Sequence, residues 1–323
     1  MNIDKKFINL FARATERAAY GASLYRGKKN KIAADQAAVD EMRKVLNSIN
    51  MNGRIVIGEG ELDEAPMLFI NEEVGTKTGD ELDIAVDPLE GTNFTAENLP
   101  NALSVLAATK KGNLLNAPDT YMQKIAVGPG LPKKIIDLDF SVKKNIELLC
   151  DAKNTTPDKL SACVLKRPRH DKIVETLNLM KVKINFITDG DVSGAISVSK
   201  SNKGNDIYIG IGGAPEGVLA AAALQCLDCQ MQTRLIFQND SEKKKAKKLG
   251  IENLNKKYDI DDMVYGDVIF CATGVTDGDL VQGIKYLDDS FLSETFLLHK
   301  SSKSNKILKN IIKKWKKILK KCY

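Results

Sequence analysis

The sequence predicts an α/β fold, with an α+β N-terminal part and an α/β C-terminal part. Apolar residues at helical spacing come first, β-branched strands follow, and from residue 162 strand and helix alternate. That alternation implies a parallel sheet covered by helices. The expected segments are an α+β domain over residues 1–158, an α/β domain over 159–299 and a Lys-rich amphipathic helix over 300–323. A chain of 323 residues can bury two such domains around a large core, and 43% hydrophobic with 28% charged residues suits a globular protein.

Phe7, Leu10, Phe11 and Leu24 give residues 4–27 a helical spacing, closed by the polar R-G-K-K-N-K. A second helical run starts near Asp35 and continues through Val39, Met42, Val45 and Leu46. At a helix start the ordinary role of aspartate is the N-cap. The strand R-I-V-I-G-E-G-E, residues 54–61, ends in carboxylates flanked by glycines. Such a segment is either a close approach to an ion or a solvated acidic loop. Strands follow over 102–108 and 125–127, then a polar stretch over 138–161. The alternating part reads strand 162–165, helix 171–180, strand 183–188, a short helix after Asp191, strand 207–212 and an Ala-rich helix 216–226. A Lys-rich helix over 242–249, an apolar strand leading into C-A-T-G-V-T-D-G-D-L and a strand over 294–298 complete the set.

The most informative stretch is L-D-I-A-V-D-P-L-E-G-T, residues 82–92. A buried strand is broken by Pro88, and Gly91 allows a sharp turn. Asp87 and Glu90 therefore stand on a stiff corner, with the Thr92 hydroxyl beside them. Two close carboxylates are costly unless a cation lies between them, and Mg²⁺ or Mn²⁺ prefers oxygen ligands. The same residues also suit an ordinary turn. In a parallel sheet, ligands bind at the C-terminal strand ends. Three polar clusters fall there: Lys166-Arg167-Pro168-Arg169-His170, Asp189-Gly190-Asp191, and the glycine-rich run from Gly212 through Glu216 to Gly217. Guanidinium groups match phosphate oxygens bidentately.

Several classes are disfavoured. The six cysteines are scattered, with Cys226 and Cys229 forming a single C-x-x-C, a weak zinc signal without a second pair. Two histidines, His170 and His299, argue against a histidine-rich zinc site and against a Ser-His-Asp hydrolase. No apolar run approaches the length of a bilayer span, and M-N-I-D-K-K-F is not a signal-peptide segment, so a cytoplasmic location is expected. The net charge is +6, but ten lysines and no acids lie between Lys300 and Tyr323, so removing that segment leaves −4. A mildly acidic body with a basic tail is not a basic protein.

Taken in order, A-A-D-Q-A-A-V, V-I-G-E-G-E-x-D-E-A-P-M-L, D-I-A-V-D-P-x-E-G-T, A-P-D-x-Y-M-x-K, R-P-R-H-D, D-G-D-V, G-I-G-G-A-P-E-G and A-T-G-V-T-x-G-D-L span residues 33–280. This series resembles the class II, bacterial-type fructose-1,6-bisphosphatases of the lithium-sensitive sugar-phosphatase superfamily. The resemblance implies a layered sugar-phosphatase fold and hydrolysis of the 1-phosphate of fructose 1,6-bisphosphate in gluconeogenesis. It makes residues 1–158 the metal-binding part and 159–299 the substrate-binding part. It implies that Asp35 and Glu59 bind one divalent ion, Mn²⁺ or Mg²⁺, and that Asp87, Glu90 and Glu216 bind another, which displaces the N-cap reading of Asp35. Glu90, Gly91, Thr92, Tyr121, Arg167, Arg169, Asp189, Gly190, Asp191 and Gly213 would meet the substrate, with Lys166 a weaker candidate. Thr92 would position or deprotonate the attacking water, and Asp189 and Asp191 would accept sugar hydroxyls. The nearest alternative substrate is sedoheptulose 1,7-bisphosphate, alone or in addition.

The C-terminus departs from the resemblance, which implies a mixed ending containing a further strand. Here Ile307, Leu308, Ile311, Ile312, Trp315, Ile318 and Leu319 form one helical stripe opposite lysines. Such a helix would dock on the body or on an identical subunit, consistent with an expected dimer or tetramer. The alternative is an anionic surface. A sugar bisphosphate is the expected partner; nucleic acid is not expected, and membrane contact through the tail is the weaker reading.

Overall fold

The computed structural model describes residues 2–58, 68–200 and 204–314. Helices α1 (Lys6–Ser23) and α2 (Lys31–Leu46) lead into strands β1 (Asn52–Ile57), β2 (Glu73–Val74) and β3 (Glu81–Glu90). Helix α3 (Thr92–Glu97) and strands β4 (Leu103–Lys110) and β5 (Tyr121–Val127) follow, then α4 (Val142–Lys153), β6 (Ser161–Leu165), α5 (Asp171–Leu179), β7 (Lys183–Ile187) and α6 (Asp191–Ile196). The chain continues through β8 (Ile207–Gly213), α7 (Ala214–Cys226), β9 (Gln230–Ile236), α8 (Asp240–Lys248), β10 (Lys257–Asp259) and α9 (Ile260–Met263). It closes with β11 (Val268–Gly274), β12 (Lys285–Tyr286), β13 (Ser290–His299) and β14 (Ser304–Lys313).

Two sheets result. One runs β12-β13-β11-β4-β3-β1-β2 with β14 on the free side of β13; the other runs β10-β9-β5-β8-β6-β7. They stack with helices in layers. The outer face of the first sheet packs on α1 and α2 through Phe7, Phe11, Met42, Ile84, Val86 and Phe291. The outer face of the second packs on α4 and α5 through Ile146, Leu149, Val164 and Leu177. Between the sheets lies α7, whose Ala-rich sequence is apolar on every side, as a helix buried on all faces must be. Alanines let both sheets approach it closely. The apolar spacing read for α1 holds at Phe7 and Phe11, whereas Leu10 and Leu24 are exposed.

Three expectations change. The second sheet is mixed: β6 runs parallel to β7 and β8, but β5, β9 and β10 join antiparallel. The strands also do not divide at residues 158 and 299. Strand β5 belongs to the second sheet, while β11 pairs with β4 along its whole length and returns the chain to the first. The apolar run V-I-F-C-A-T-G is buried throughout and needs a sheet interior to complete its ladder. Finally, α2 begins at Lys31 with the Asn30 side chain accepting the Ala33 N–H, so Asp35 lies inside the helix and is not its N-cap.

The largest correction concerns the C-terminal segment. Residues 304–313 are a strand laid antiparallel along all of β13, not a helix, while Trp315, Ile318 and Leu319 lie outside the described residues. The doublets Ile307-Leu308 and Ile311-Ile312 put one apolar residue on each face of a strand as readily as they build a helical stripe. The open edge of β13 decides between them. Asn310 Nδ2 donates to Glu16 Oε1 at 2.7 Å, and Arg17 Nη2 donates to the Lys313 carbonyl, tying the strand to α1. Among the described residues no helix is long and apolar enough to cross a membrane.

Strand and helix make opposite demands on neighbouring residues, which gives a test. Ile312 is 2% exposed and Ile311 is 70% exposed. Ile312→Ala should cost about 2–5 kcal/mol in a denaturant melt, and Ile311→Ala less than ~0.5 kcal/mol. Equal losses at both positions would restore the helical stripe.

Candidate active site

The corner at residues 87–92 is built differently from the simple strand end that the sequence suggests. Strand β3 does not stop at Pro88 but continues to Glu90, with one extra residue between Asp87 and Glu90 relative to Val105 and Leu103 of β4. In a regular strand, residues three apart point to opposite faces. The bulge absorbs one residue and brings both carboxylates to the same side, and Pro88, with no N–H to offer, suits that position. Along β3, Leu82, Ile84 and Val86 face α1 and α2, while Ala85 faces the inter-sheet core. Asp87 has the parity of Ala85, so it points toward α7.

Glu216 lies there, in the first turn of α7. Asp87, Glu90 and Glu216 each place a carboxylate oxygen within 4.8 Å of the others. Leu89 N–H donates to Asp87 Oδ1 at 3.1 Å, and Val192 N–H donates to Glu90 Oε1 at 2.9 Å. Glu216 Oε2 is buried and meets no hydrogen-bond donor among the described residues. Burial pushes the Glu90 carboxyl well above the usual range, and Asp87 and Glu216 push it the same way against the Val192 N–H. Burial also raises Glu216, with the Lys124 ammonium opposing the shift and Asp191 adding to it. A Cβ on Gly213 would meet Glu216 Oε2 and force that carboxylate to shift, so glycine there leaves Glu216 in its place. A buried, oxygen-only donor set with an orphaned oxygen fits a hard divalent cation.

The other metal expectation divides. Asp35 is half-buried in α2 and is not among the three carboxylates that converge, and Glu59 lies outside the described residues. Gly91, at φ +81°, turns the chain into α3, and Thr92 opens that helix beside Glu90.

The remaining expected residues collect at one edge of the second sheet. Strands β6, β7 and β8 are parallel and bring their C-terminal ends together, and antiparallel β5 brings its first residue, Tyr121, opposite Gly213. Arg169 lies over the Tyr121 ring, 4.9 Å from its centroid, and its Nε and Nη2 donate to the Ile211 carbonyl at 3.0 and 2.8 Å. Half-buried Arg167 donates from Nη1 to the Lys166 carbonyl. Asp189 accepts from Asn93 Nδ2 at 3.3 Å, which links this edge to α3 of the first sheet. Gly190, at φ +78°, precedes α6. Asp191 is buried, and both its oxygens are engaged, one by Lys124 Nζ and the other by the Tyr208 hydroxyl.

The sequence assigns no role to Lys124, Tyr208 or His170, although Lys124 closes the motif A-P-D-x-Y-M-x-K and His170 ends the arginine cluster. The signal for Lys124 was a lone lysine inside the apolar run M-Q-K-I-A-V, and for Tyr208 a tyrosine within I-Y-I-G-I. His170 is kept neutral by burial, which lowers its pKa. Its Nδ1 faces the Leu165 carbonyl at 2.6 Å, and its Nε2 accepts the Ile211 N–H at 2.7 Å, fixing the arginine loop against β8.

A family model described as bacterial fructose-1,6-bisphosphatase, glpX-encoded, matches residues 5–312. Fructose-1,6-bisphosphatase 1 class 2 of Escherichia coli (strain K12) is 42% identical over 315 residues, covering 93% of each chain. The class 2 enzyme of Haemophilus influenzae is 40% identical over 314 residues, 93% of this chain and 94% of that one. A solved structure of the extragenic suppressor protein suhB from Bartonella henselae aligns with 61% of this chain and 76% of its own at 12% identity, with a TM-score of 0.33, too low to carry an argument. Nearly the whole chain is matched at high identity, and it belongs to the class II, glpX-type fructose-1,6-bisphosphatases.

Proposed function

We propose that this phosphoric monoester hydrolase cleaves the 1-phosphate of fructose 1,6-bisphosphate in gluconeogenesis, with Asp87, Glu90 and Glu216 holding one divalent ion, Mn²⁺ or Mg²⁺. The observation that carries the reading is the convergence of those three carboxylates, one with a buried oxygen that no described donor meets. Asp35 and Glu59 hold a second ion. Bound there, the ions would neutralise phosphoryl charge and lower the pKa of a water molecule.

The chain's own residues do the rest. Arg167 and Arg169 hold phosphate oxygens, and Tyr121 supports Arg169 through its ring face. The backbone at Gly190 and Gly213 allows the sugar bisphosphate close to the strand ends, and Asp189 accepts sugar hydroxyls. Thr92, next to Glu90, orients the attacking water. The water oxygen bonds to phosphorus as the ester P–O bond breaks, and the leaving alkoxide takes up a proton to give fructose 6-phosphate. The enzyme works as a cytoplasmic homo-oligomer, a dimer or tetramer whose mass light scattering would give. Free thiols at Cys150, Cys163, Cys226, Cys229 and Cys271 support a reducing compartment.

Phosphate release from fructose 1,6-bisphosphate should require Mn²⁺ or Mg²⁺ and stop with EDTA. Sedoheptulose 1,7-bisphosphate and inositol 1-phosphate assayed beside it give the selectivity; release that persists in EDTA would sink the metal reading. Asp87→Asn or Glu90→Gln should lower kcat by at least roughly two orders of magnitude with the fold retained, because several kcal/mol of charge stabilisation are lost. Arg169→Ala should lower kcat/KM about 10- to 100-fold, the worth of a charge-assisted hydrogen bond to phosphate. An unchanged kcat/KM would remove Arg169 from the site.

A further inference from the structure

We propose that Lys124 and Tyr208 are positioning residues for the metal site, acting through Asp191 and α6 on Glu90. The proposal rests on the reading of Asp87, Glu90 and Glu216 as ligands, and it adds two residues of the second sheet that hold one of those ligands in place.

Lys124 is 1% exposed in the middle of β5, where an ammonium without a counter-charge would be very costly. Its partner is Asp191 Oδ2. Tyr208 lies on β8, hydrogen-bonded alongside β5, and its hydroxyl donates to Asp191 Oδ1. Asp191 is thus gripped at both oxygens by adjacent strands of one sheet. It is also the first residue of α6, and the very next backbone N–H, that of Val192, is the donor to Glu90 Oε1. The grip on Asp191 therefore fixes where a first-sheet carboxylate sits relative to the second sheet.

The backbone around the pair is shaped to fit it. A Cβ on Gly212 would collide with Asp191 Oδ2, and one on Gly217 would run into Met122 Sδ and lie 3.2 Å from Lys124 Cε. Glycines on either side of Glu216 leave space for the Lys124–Asp191 pair as well as for Glu216 itself. On this reading Asp191 is an anchor, and recognition of sugar hydroxyls falls to the half-buried Asp189.

The test uses the full chain, with Mn²⁺ binding measured without substrate from the resonance of free Mn²⁺, beside a thermal melt and steady-state kinetics. Tyr208→Phe removes one hydroxyl and keeps the ring and every charge. It should raise the Mn²⁺ dissociation constant about tenfold, the scale for partners that orient a ligand, and leave KM at saturating Mn²⁺ unchanged. Lys124→Met should also weaken Mn²⁺ binding, although removal of a positive charge alone would strengthen it. A raised KM with unchanged Mn²⁺ affinity would make Asp191 a substrate contact and overturn the proposal. So would a lower melting temperature with both constants unchanged, which would reduce the clamp to core packing. If Lys124→Met does not fold, Tyr208→Phe decides. A Glu90→Gln variant with the affinity of the unsubstituted chain would instead overturn the ligand assignment, and the clamp with it.

Discussion

Three carboxylates are held in one largely buried place, and much of the fold is arranged around keeping them there. Mutual repulsion and lost hydration would each drive them apart or protonate them. Raised pKa values at Glu90 and Glu216 express that tension. What opposes it is stiff. Asp87 and Glu90 are fixed by a bulge inside a ten-residue strand, and Glu216 by a helix packed against both sheets. The strand and the buried helix fix all three backbones, so the acids stay near one another, and the ion proposed above would meet their charge.

The two halves of the site differ in character. On the acid side the groups are buried or half-buried, and their geometry comes from sheet register. On the opposite side Arg169 and Tyr121 are exposed at strand ends. Even there the freedom is limited: the Arg169 guanidinium bonds to the Ile211 carbonyl and lies on the Tyr121 ring, while His170 ties the same loop to β8. An arginine braced in this way loses little further freedom when it meets a phosphate. Asn93 and Val192 then connect the halves, each through one hydrogen bond to a carboxylate across the sheets.

The carboxylate corner at Asp87 and Glu90 is legible in the sequence because it rests on local chemistry. Strand, proline, acid, glycine and threonine fall within eleven residues around Asp87, and the three clusters after β6, β7 and β8 lie at parallel strand ends. The sequence does not show what depends on distant partners. The bulge is invisible because D-P-L-E reads equally as a turn, and only β4 reveals the extra residue. The N-cap reading of Asp35 fails because Asn30, five residues earlier, is the residue whose side chain accepts the first-turn N–H. The last strand also fits a helical stripe, because the doublets Ile307-Leu308 and Ile311-Ile312 satisfy both periodicities, and only the open edge of β13 distinguishes them. Lys124 was passed over because one lysine in an apolar run signals nothing until its counter-charge, 67 positions away, is seen.

Charge balance gives that buried lysine a reason. Asp191 lies close enough to Glu216 to raise its pKa, so without Lys124 the pocket would gather a fourth uncompensated carboxylate. Lys124 neutralises Asp191 within the protein and leaves the trio as the three converging acids. One divalent ion then leaves a single net negative charge, which an incoming phosphate dianion would oppose. On the function proposed above, positive charge from outside the trio, supplied by a second ion and by Arg167 and Arg169, would let the substrate approach. Three acids of one sign repel a phosphate dianion, so in the proposed reaction cations would have to bind before or together with the substrate.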